Sequence, residues 1–128
     1  MGNTERRKYP RVQIFDPISY LSLDSDGKTI HQNVAVVRDV GQTGIKMEAF
    51  VEVKSEKLSL MFFDMHRNQI EVNGKVVYCR KNESGQFSIG INLIGNEAEN
   101  LRFVKALVKS YHYQKEKSRL AISPGIQN

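Results

Sequence analysis

Short runs of alternating apolar and polar residues, separated by turn signals, are the feature that most limits the folds open to this chain. From Phe87 to Leu93 every second residue is apolar, and Ile45, Met47 and Ala49 repeat the pattern. A period of two residues indicates strands with one buried face. Six strands are predicted on this basis: Val12 to Leu23, Thr29 to Arg38, Ile45 to Ala49, Leu58 to Phe63, Ile70 to Tyr78 and Phe87 to Leu93. Short strands joined by turns predict an all-β barrel or sandwich.

Two details of these strands carry structural expectations. Pro17 interrupts the first strand, and because proline lacks a backbone donor it predicts a bend or bulge there. The unbroken apolar run Val34 to Val37 predicts a central strand. Four phenylalanines fall on apolar faces and are expected in the core: Phe62, Phe63, Phe87 and Phe103.

The C-terminal quarter of the chain changes to a helical period. Asn96 is a suitable N-cap for a helix that begins at Glu97, and we expect that helix to end near Lys115. Its apolar stripe at intervals of three to four residues comprises Leu101, Val104, Leu107, Val108 and Tyr111. With 128 residues the chain suits one domain. The predicted division is a flexible basic arm over 1–11, a β domain with its helix over 12–116, and a mobile tail over 117–128.

Composition excludes some classes and favours an anionic partner. No apolar run is long enough to span a bilayer and no signal peptide is visible, so we expect a cytoplasmic protein without membrane insertion. Cys79 is the single cysteine, which fits a reducing compartment. Lysine and arginine outnumber aspartate and glutamate by 19 to 14, a formal net charge of +5. Nucleic acid, phosphates and acidic protein surfaces all remain open as partners.

The residues do not support catalysis. His31, His66 and His112 are far apart in the sequence and form no paired metal-ligand motif, and Cys79 on a predicted strand is interpreted as a small buried hydrophobe. Neither GxxxxGK[ST] nor GxGxxG occurs. The chain is therefore predicted to be no enzyme, with no metal site and no cofactor.

Two short segments carry the binding hypothesis. Arg7 and Arg11 lie four residues apart on a segment that Pro10 biases toward extended structure, with Arg6 and Lys8 beside them as further candidates. Guanidinium groups suit phosphate oxygens and the O6/N7 edge of guanine. The plainer interpretation of this segment is a solvated basic terminus. The second segment, 39–44, reads Asp-Val-Gly-Gln-Thr-Gly and is, by itself, equally consistent with a turn between strands.

Together these segments resemble the PilZ domain, whose pattern is RxxxR followed by [D/N]xSxxG, and the likeness extends over about residues 5–115. The resemblance implies a six-stranded antiparallel β-barrel with a C-terminal helix that binds the bacterial messenger cyclic di-GMP. It implies that Arg7 and Arg11 bind phosphate and guanine, that Asp39 is the acidic motif residue, and that Gly41 and Gly44 complete the site. Chemically, the Asp39 carboxylate suits the N1–H and N2–H donors of guanine.

One motif position departs from the family pattern. Gly41 stands where the pattern has serine, so a hydroxyl is missing, and either a positive φ at Gly41 or a substituting Thr43 hydroxyl is a candidate explanation. The leading hypothesis is a cyclic di-GMP receptor whose arm closes on the ligand and signals to an unidentified partner protein. The alternative is an interaction adaptor with weak or lost nucleotide binding. A nucleic-acid binder is disfavoured, because no cluster of aromatic residues for base stacking is visible.

Overall fold

A computed structural model, described for residues 11–121, has six strands and one helix. The elements are β1 (Val12–Leu23), β2 (Thr29–Val40), β3 (Gly44–Ala49), β4 (Lys57–Phe63), β5 (Gln69–Lys81), β6 (Phe87–Ile94) and α1 (Glu97–Ala121). The strands form a closed barrel in the order β1-β2-β3-β6-β5-β4, with every neighbouring pair antiparallel. The predicted mainly β fold, a six-stranded antiparallel barrel with one C-terminal helix, is confirmed.

The core fills the barrel and continues beneath α1. Inward side chains alternate along the strands, as Ile14, Ile18 and Tyr20 do on β1. Phe103 and Leu107 of α1 are fully buried and extend this core from the helix side. Burying large apolar side chains of this kind contributes about 1.5–3 kcal/mol each, so the helix is held to the barrel chiefly by these residues.

The predicted irregularity in β1 is confirmed. The register between β1 and β2 shifts between Gln13 and Asp16, directly before Pro17. A bulge leaves an extra residue on one strand and bends it. Asp16 holds the inward position between Ile14 and Ile18 in the alternation of β1 and is buried.

Three hairpins close in the same way, through a carboxylate or amide that accepts from the backbone. Asp24, Asp64 and Asn82 each accept backbone N–H bonds from the residues two and four positions later. Gly27 and Gly85 hold the left-handed position of the first and third hairpins, with φ of 83° and 88°. In the second hairpin Arg67 takes that position, with φ of 65°.

The helix begins where the sequence predicts and ends later. Asn96 Oδ1 accepts the backbone N–H of Glu99 at 2.9 Å, which confirms the N-cap. The predicted end near Lys115 is wrong, because α1 continues to Ala121 and residues 117–121 of the predicted tail are helical. The added turn contains good helix formers and an ion pair between Arg119 and Glu116 at 2.6 Å. Residues 122–128 lie outside the described range.

The prediction that four phenylalanines lie in the core is wrong in part, whereas the predicted central strand is confirmed, because β2 pairs with β1 on one side and with β3 on the other. Phe62, Phe87 and Phe103 pack in or against the core, but Phe63 points outward and is 58% exposed. Val34, in the apolar run of β2, is 72% exposed. Adjacent strand residues face opposite sides, so an unbroken apolar run on a barrel with a solvated outer face must expose part of itself.

Candidate ligand-binding site

The pairing of β1 with β2 brings the basic and acidic motif residues together. Gln13 lies opposite Asp39 and Val12 lies opposite Val40, which places Arg11 beside the end of β2. Arg11 Nε donates to Asp39 Oδ1 at 2.8 Å. Both side chains are partly exposed, at 37% and 25%. The two residues are 28 positions apart in sequence, and the antiparallel pairing of β1 with β2 makes them neighbours.

Gly41 lies against the same arginine. A Cβ at this position would be 3.0 Å from Arg11 Nη1. Gly41 does not have a positive φ, so that candidate explanation for the absence of serine is wrong. The residue instead leaves room for the guanidinium group next to Asp39.

The segment from Gly41 to Gly44 is a closed turn that joins β2 to β3. Gly41 N–H donates to the Gly44 carbonyl at 2.8 Å, and the Thr43 carbonyl accepts from Leu93 N–H at 2.8 Å. A Cβ on Gly44 would lie 2.8 Å from the Ile91 carbonyl oxygen, a backbone atom that cannot move aside. Glycine at position 44 is therefore required for β3 to pair closely with β6. The Thr43 side chain is exposed beside this turn.

Arg6, Arg7 and Lys8 lie outside the described residues. The structure therefore brings together Arg11, Asp39, Gly41, Thr43 and Gly44 of the predicted set.

Three strands continue the site across the outer face of the barrel, which sequence patterns alone did not reveal. Asp39 lies opposite Lys46, Lys46 lies opposite Gly90, and Gly90 lies opposite Tyr78. The Tyr78 ring covers Gly90, in the space that a side chain there would fill. The Arg80 guanidinium lies over this ring, 4.4 Å from its centre. These residues could have been found only from the register in which the strands pair, and the sequence alone does not specify that register.

This outer face combines the groups that a nucleotide needs. A depression of about 520 Å³ is lined by three basic side chains, one acidic side chain and three other residues: Lys46, Arg80, Lys81, Glu83, Tyr78, Asn82 and Ser88. Guanidinium and ammonium groups bind phosphate, a guanidinium plane held over an aromatic ring offers a stacking surface for a base, and a carboxylate accepts base N–H donors. The arrangement suits an anionic ligand with planar bases. No group of three or more metal-ligating side chains occurs within residues 11–121.

Comparisons with solved structures place the fold among known domains. The PilZ domain of YcgR from Escherichia coli with c-di-GMP superposes with a TM-score of 0.58 at 10% identity, over 89% of this chain and 98% of that one. MotI/DgrA, the inhibitor of motility from Bacillus subtilis, gives a TM-score of 0.61 at 16% identity, over 88% of this chain and 53% of that one. The MrkH–c-di-GMP complex from K. pneumonia gives 0.56 at 12% identity, over 88% and 54%.

The chain therefore spans about half the length of MotI and MrkH. Among curated proteins no sequence matches it significantly. No helix within residues 11–121 is long and apolar enough to cross a bilayer. The family model of the PilZ domain matches residues 5–110, most of the chain. The family suggested by RxxxR and the glycine turn is thus confirmed, and the chain belongs to the PilZ domain family.

Proposed function

We propose that this chain is a receptor for cyclic di-GMP that binds the messenger on the outer face of the barrel beside β2 and β3. The observation that carries the proposal is the contact between Arg11 and Asp39 at 2.8 Å, next to the turn from Gly41 to Gly44. A phosphate-binding group and a base-reading group stand side by side there. The c-di-GMP complexes of the structurally similar YcgR and MrkH support the same ligand class.

The proposed division of labour follows from the chemistry of the atoms. The ion pair joins Arg11 Nε to Asp39 Oδ1, so Arg11 Nη1 and Nη2 and Asp39 Oδ2 are the atoms through which a ligand is contacted. The Nη nitrogens donate to phosphate or to guanine O6 and N7. The carboxylate accepts guanine N1–H and N2–H. Arg11 also neutralises part of the Asp39 charge, which reduces its repulsion of phosphate.

Tyr78 extends the proposed site to a second base. Tyr78 lies on the same outer face as Lys46, two strands away, because Lys46 pairs with Gly90 and Gly90 pairs with Tyr78. Because the Arg80 guanidinium lies over the ring, a base stacks either on the Arg80 plane or on the ring after Arg80 moves aside. Stacking of a base on an aromatic ring is worth about 1–3 kcal/mol and does not depend on which base is present. Lys46, between the ring and Asp39, supplies a positive charge for the phosphates.

Arg7 is proposed to close over the ligand from the arm over residues 1–11. The arm enters β1 at Arg11, so ligand contacts at Arg11 and Arg7 would order the segment between them. Ordering the arm costs conformational entropy. The surface of the closed arm is what a partner protein would recognise.

The proposal is tested by titrating the full chain calorimetrically with cyclic di-GMP, GTP and single-stranded RNA at equal salt. Saturable binding of cyclic di-GMP, at least tenfold tighter than GTP, is the expected result. Equal binding of all three would indicate nonspecific attraction of anions to a chain of net charge +5.

Gly41 supports a second candidate function. Loss of the motif hydroxyl removes a hydrogen bond worth about 0.5–1.5 kcal/mol when the partner is neutral and about 1.5–3 kcal/mol when it is charged. An interaction adaptor that no longer depends on the nucleotide would tolerate this loss. The adaptor hypothesis predicts that the folded chain shows no saturable binding of cyclic di-GMP, whereas the receptor hypothesis predicts saturable binding.

A further inference from the structure

A groove between α1 and the β1–β4 side of the barrel contains a buried carboxylate. Its volume is about 600 Å³, and Ser110 and Gln114 of α1 form one wall. Asp16 forms part of its floor and is 4% exposed. Asp16 Oδ2 has no hydrogen-bond partner among the side chains and backbone of residues 11–121. A buried carboxylate ordinarily has a cation or several donors beside it, so this group lacks its expected complement.

The pKa of Asp16 agrees with that geometry. Burial raises it from 3.8 to about 6, which is the direction expected for a carboxyl without a positive neighbour. Arg38, a basic residue of β2, is engaged elsewhere. Its Nη1 is 2.9 Å from Glu48 Oε1, and its guanidinium lies over the Phe15 ring at 5.3 Å.

Exposed apolar residues surround the groove on the outer face. Phe15, Val34 and Phe63 are 57%, 72% and 58% exposed. They belong to three adjacent strands, because β1 pairs with both β2 and β4. An apolar surface three strands wide is more than a small ligand in the groove would cover, and such patches mark protein interfaces.

We infer that this face is a docking site for a protein partner that inserts a lysine or arginine side chain into the groove to pair with Asp16, while its flanking apolar residues cover Phe15, Val34 and Phe63. A basic side chain suits the site in two ways. Its charged head meets the unpaired carboxylate, and its stem or guanidinium plane packs on phenylalanine rings. Arginine is among the residues in which the binding energy of protein interfaces is concentrated.

The docking face is distinct from the nucleotide site. The docking face is formed by β2, β1 and β4. Lys46 and Tyr78 of the nucleotide site lie on β3 and β5, which are linked through β6. Both sites touch the start of β1, since Arg11 and Asp16 flank its bulge. A partner on this face could therefore be held while cyclic di-GMP is bound.

The first test uses n-butylguanidinium as a probe and neutral n-butylurea as its isostere, with the full chain labelled for carboxyl and amide NMR. The Asp16 carboxyl and the amides of Phe15 and Val34 are expected to shift and saturate at millimolar guanidinium. The urea should bind at least tenfold more weakly. Asp16→Asn should abolish this preference, and Asp26→Asn, which removes an exposed hairpin charge, should retain it. Equal binding of both probes would overturn the proposal.

The second test identifies the source of the cation. Peptides of twelve residues selected on the full chain, with counter-selection on Asp16→Asn, are expected to carry lysine or arginine beside apolar residues. Replacing that basic residue by glutamine, or Val34 by glutamate, should weaken binding at least tenfold. Selected peptides without a basic residue, or with equal affinity for Asp16→Asn, would contradict the proposal.

The third test examines the chain's own basic residues. If n-butylguanidinium reaches Asp16 only when Arg6, Arg7 and Lys8 are all replaced by glutamine, the chain's own arm fills the groove and the assignment to a partner is wrong. Equal access in the parent and the triple variant supports a partner.

Discussion

The guanidinium of Arg11 occupies the space into which a side chain at position 41 would project. A Cβ on Gly41 would be 3.0 Å from Arg11 Nη1, while Arg11 Nε donates to Asp39. The residue that departs from the family pattern is therefore in contact with the arginine that the pattern requires. Any substitution at position 41 acts on Arg11 as well as on the ligand.

We expect Gly41→Ser and Gly41→Ala to separate these two effects. Both variants add the Cβ that displaces Arg11, but serine also adds a hydroxyl. The Gly41→Ser variant should bind cyclic di-GMP about 0.5–1.5 kcal/mol more tightly than the Gly41→Ala variant, which is the net contribution of one hydrogen bond. Both melting temperatures should stay near that of the parent, because the backbone is not in the left-handed region and the contact is with the end of a flexible side chain.

Equal affinities for the serine and alanine variants would mean that the hydroxyl does not matter here. Thr43→Val in the parent background checks the remaining explanation. A loss of affinity in that variant, with unchanged stability, would assign the substituting hydroxyl to Thr43, which is exposed beside the turn.

Asp39→Ala should reduce the preference for guanine. Adenine lacks the N1–H and N2–H donors that the carboxylate accepts, so the variant should lose more affinity for cyclic di-GMP than for cyclic di-AMP. Titration of parent and variant with both ligands measures the difference. An equal loss of affinity for the two ligands would mean that Asp39 positions Arg11 and does not contact the base.

The sequence predicted the strands closely because their signals are local. Alternation between Phe87 and Leu93 and the turn residues around Gly27 and Gly85 specify strand and hairpin without reference to the rest of the chain. The motif predicted Arg11 and Asp39 as partners in one site, and the pairing of β1 with β2 brings them together.

The sequence could not predict the features that depend on register or on which face is solvated. Tyr78 joins the candidate site through two strand pairings, with Gly90 and through it with Lys46. Phe63 looks like a core residue in an apolar run, and its exposure follows from its place in the alternation of β4. The length of α1 was underestimated because its last turns are exposed and carry no apolar stripe.

Asp16 should make the stability of the protein depend on pH. Its pKa is raised from 3.8 to about 6 by burial, so the folded state binds this proton more tightly than the unfolded chain. The fold is therefore favoured when Asp16 is protonated, and this contribution is lost as the pH rises from about 4 to about 6. Above pH 6, ionised Asp16 costs on the order of 1–3 kcal/mol.

Asp16→Asn removes that titration. The free energy of unfolding of the variant should rise relative to the parent between pH 4 and pH 6.5, as measured by urea denaturation at each pH. A difference between the two proteins that stays constant over this range would show that Asp16 titrates normally in the folded state.

Arg67 should limit the stability of the β4–β5 hairpin. It has a φ of 65° in a position that glycine holds in the other two hairpins closed in the same way. Arg67→Gly should raise the free energy of unfolding by roughly 0.5–1 kcal/mol, because the strain of the left-handed conformation exceeds the entropy cost of glycine. Gly27→Ala is the matched control. Its Cβ would contact nothing within 4 Å, so its expected destabilisation reports the backbone alone.

Calorimetric titration of cyclic di-GMP into the full chain and its Arg11→Ala variant tests the receptor assignment most directly, with Arg38→Ala as the matched control. Arg38 is an arginine of β2 that is paired with Glu48 and does not contact Asp39 through a hydrogen bond within residues 11–121. The account predicts saturable binding to the parent and to Arg38→Ala, with a loss of about 1–3 kcal/mol in Arg11→Ala at a nearly unchanged melting temperature. A parent that does not bind cyclic di-GMP saturably, or an Arg11→Ala variant that binds it as tightly as the parent, would contradict the account.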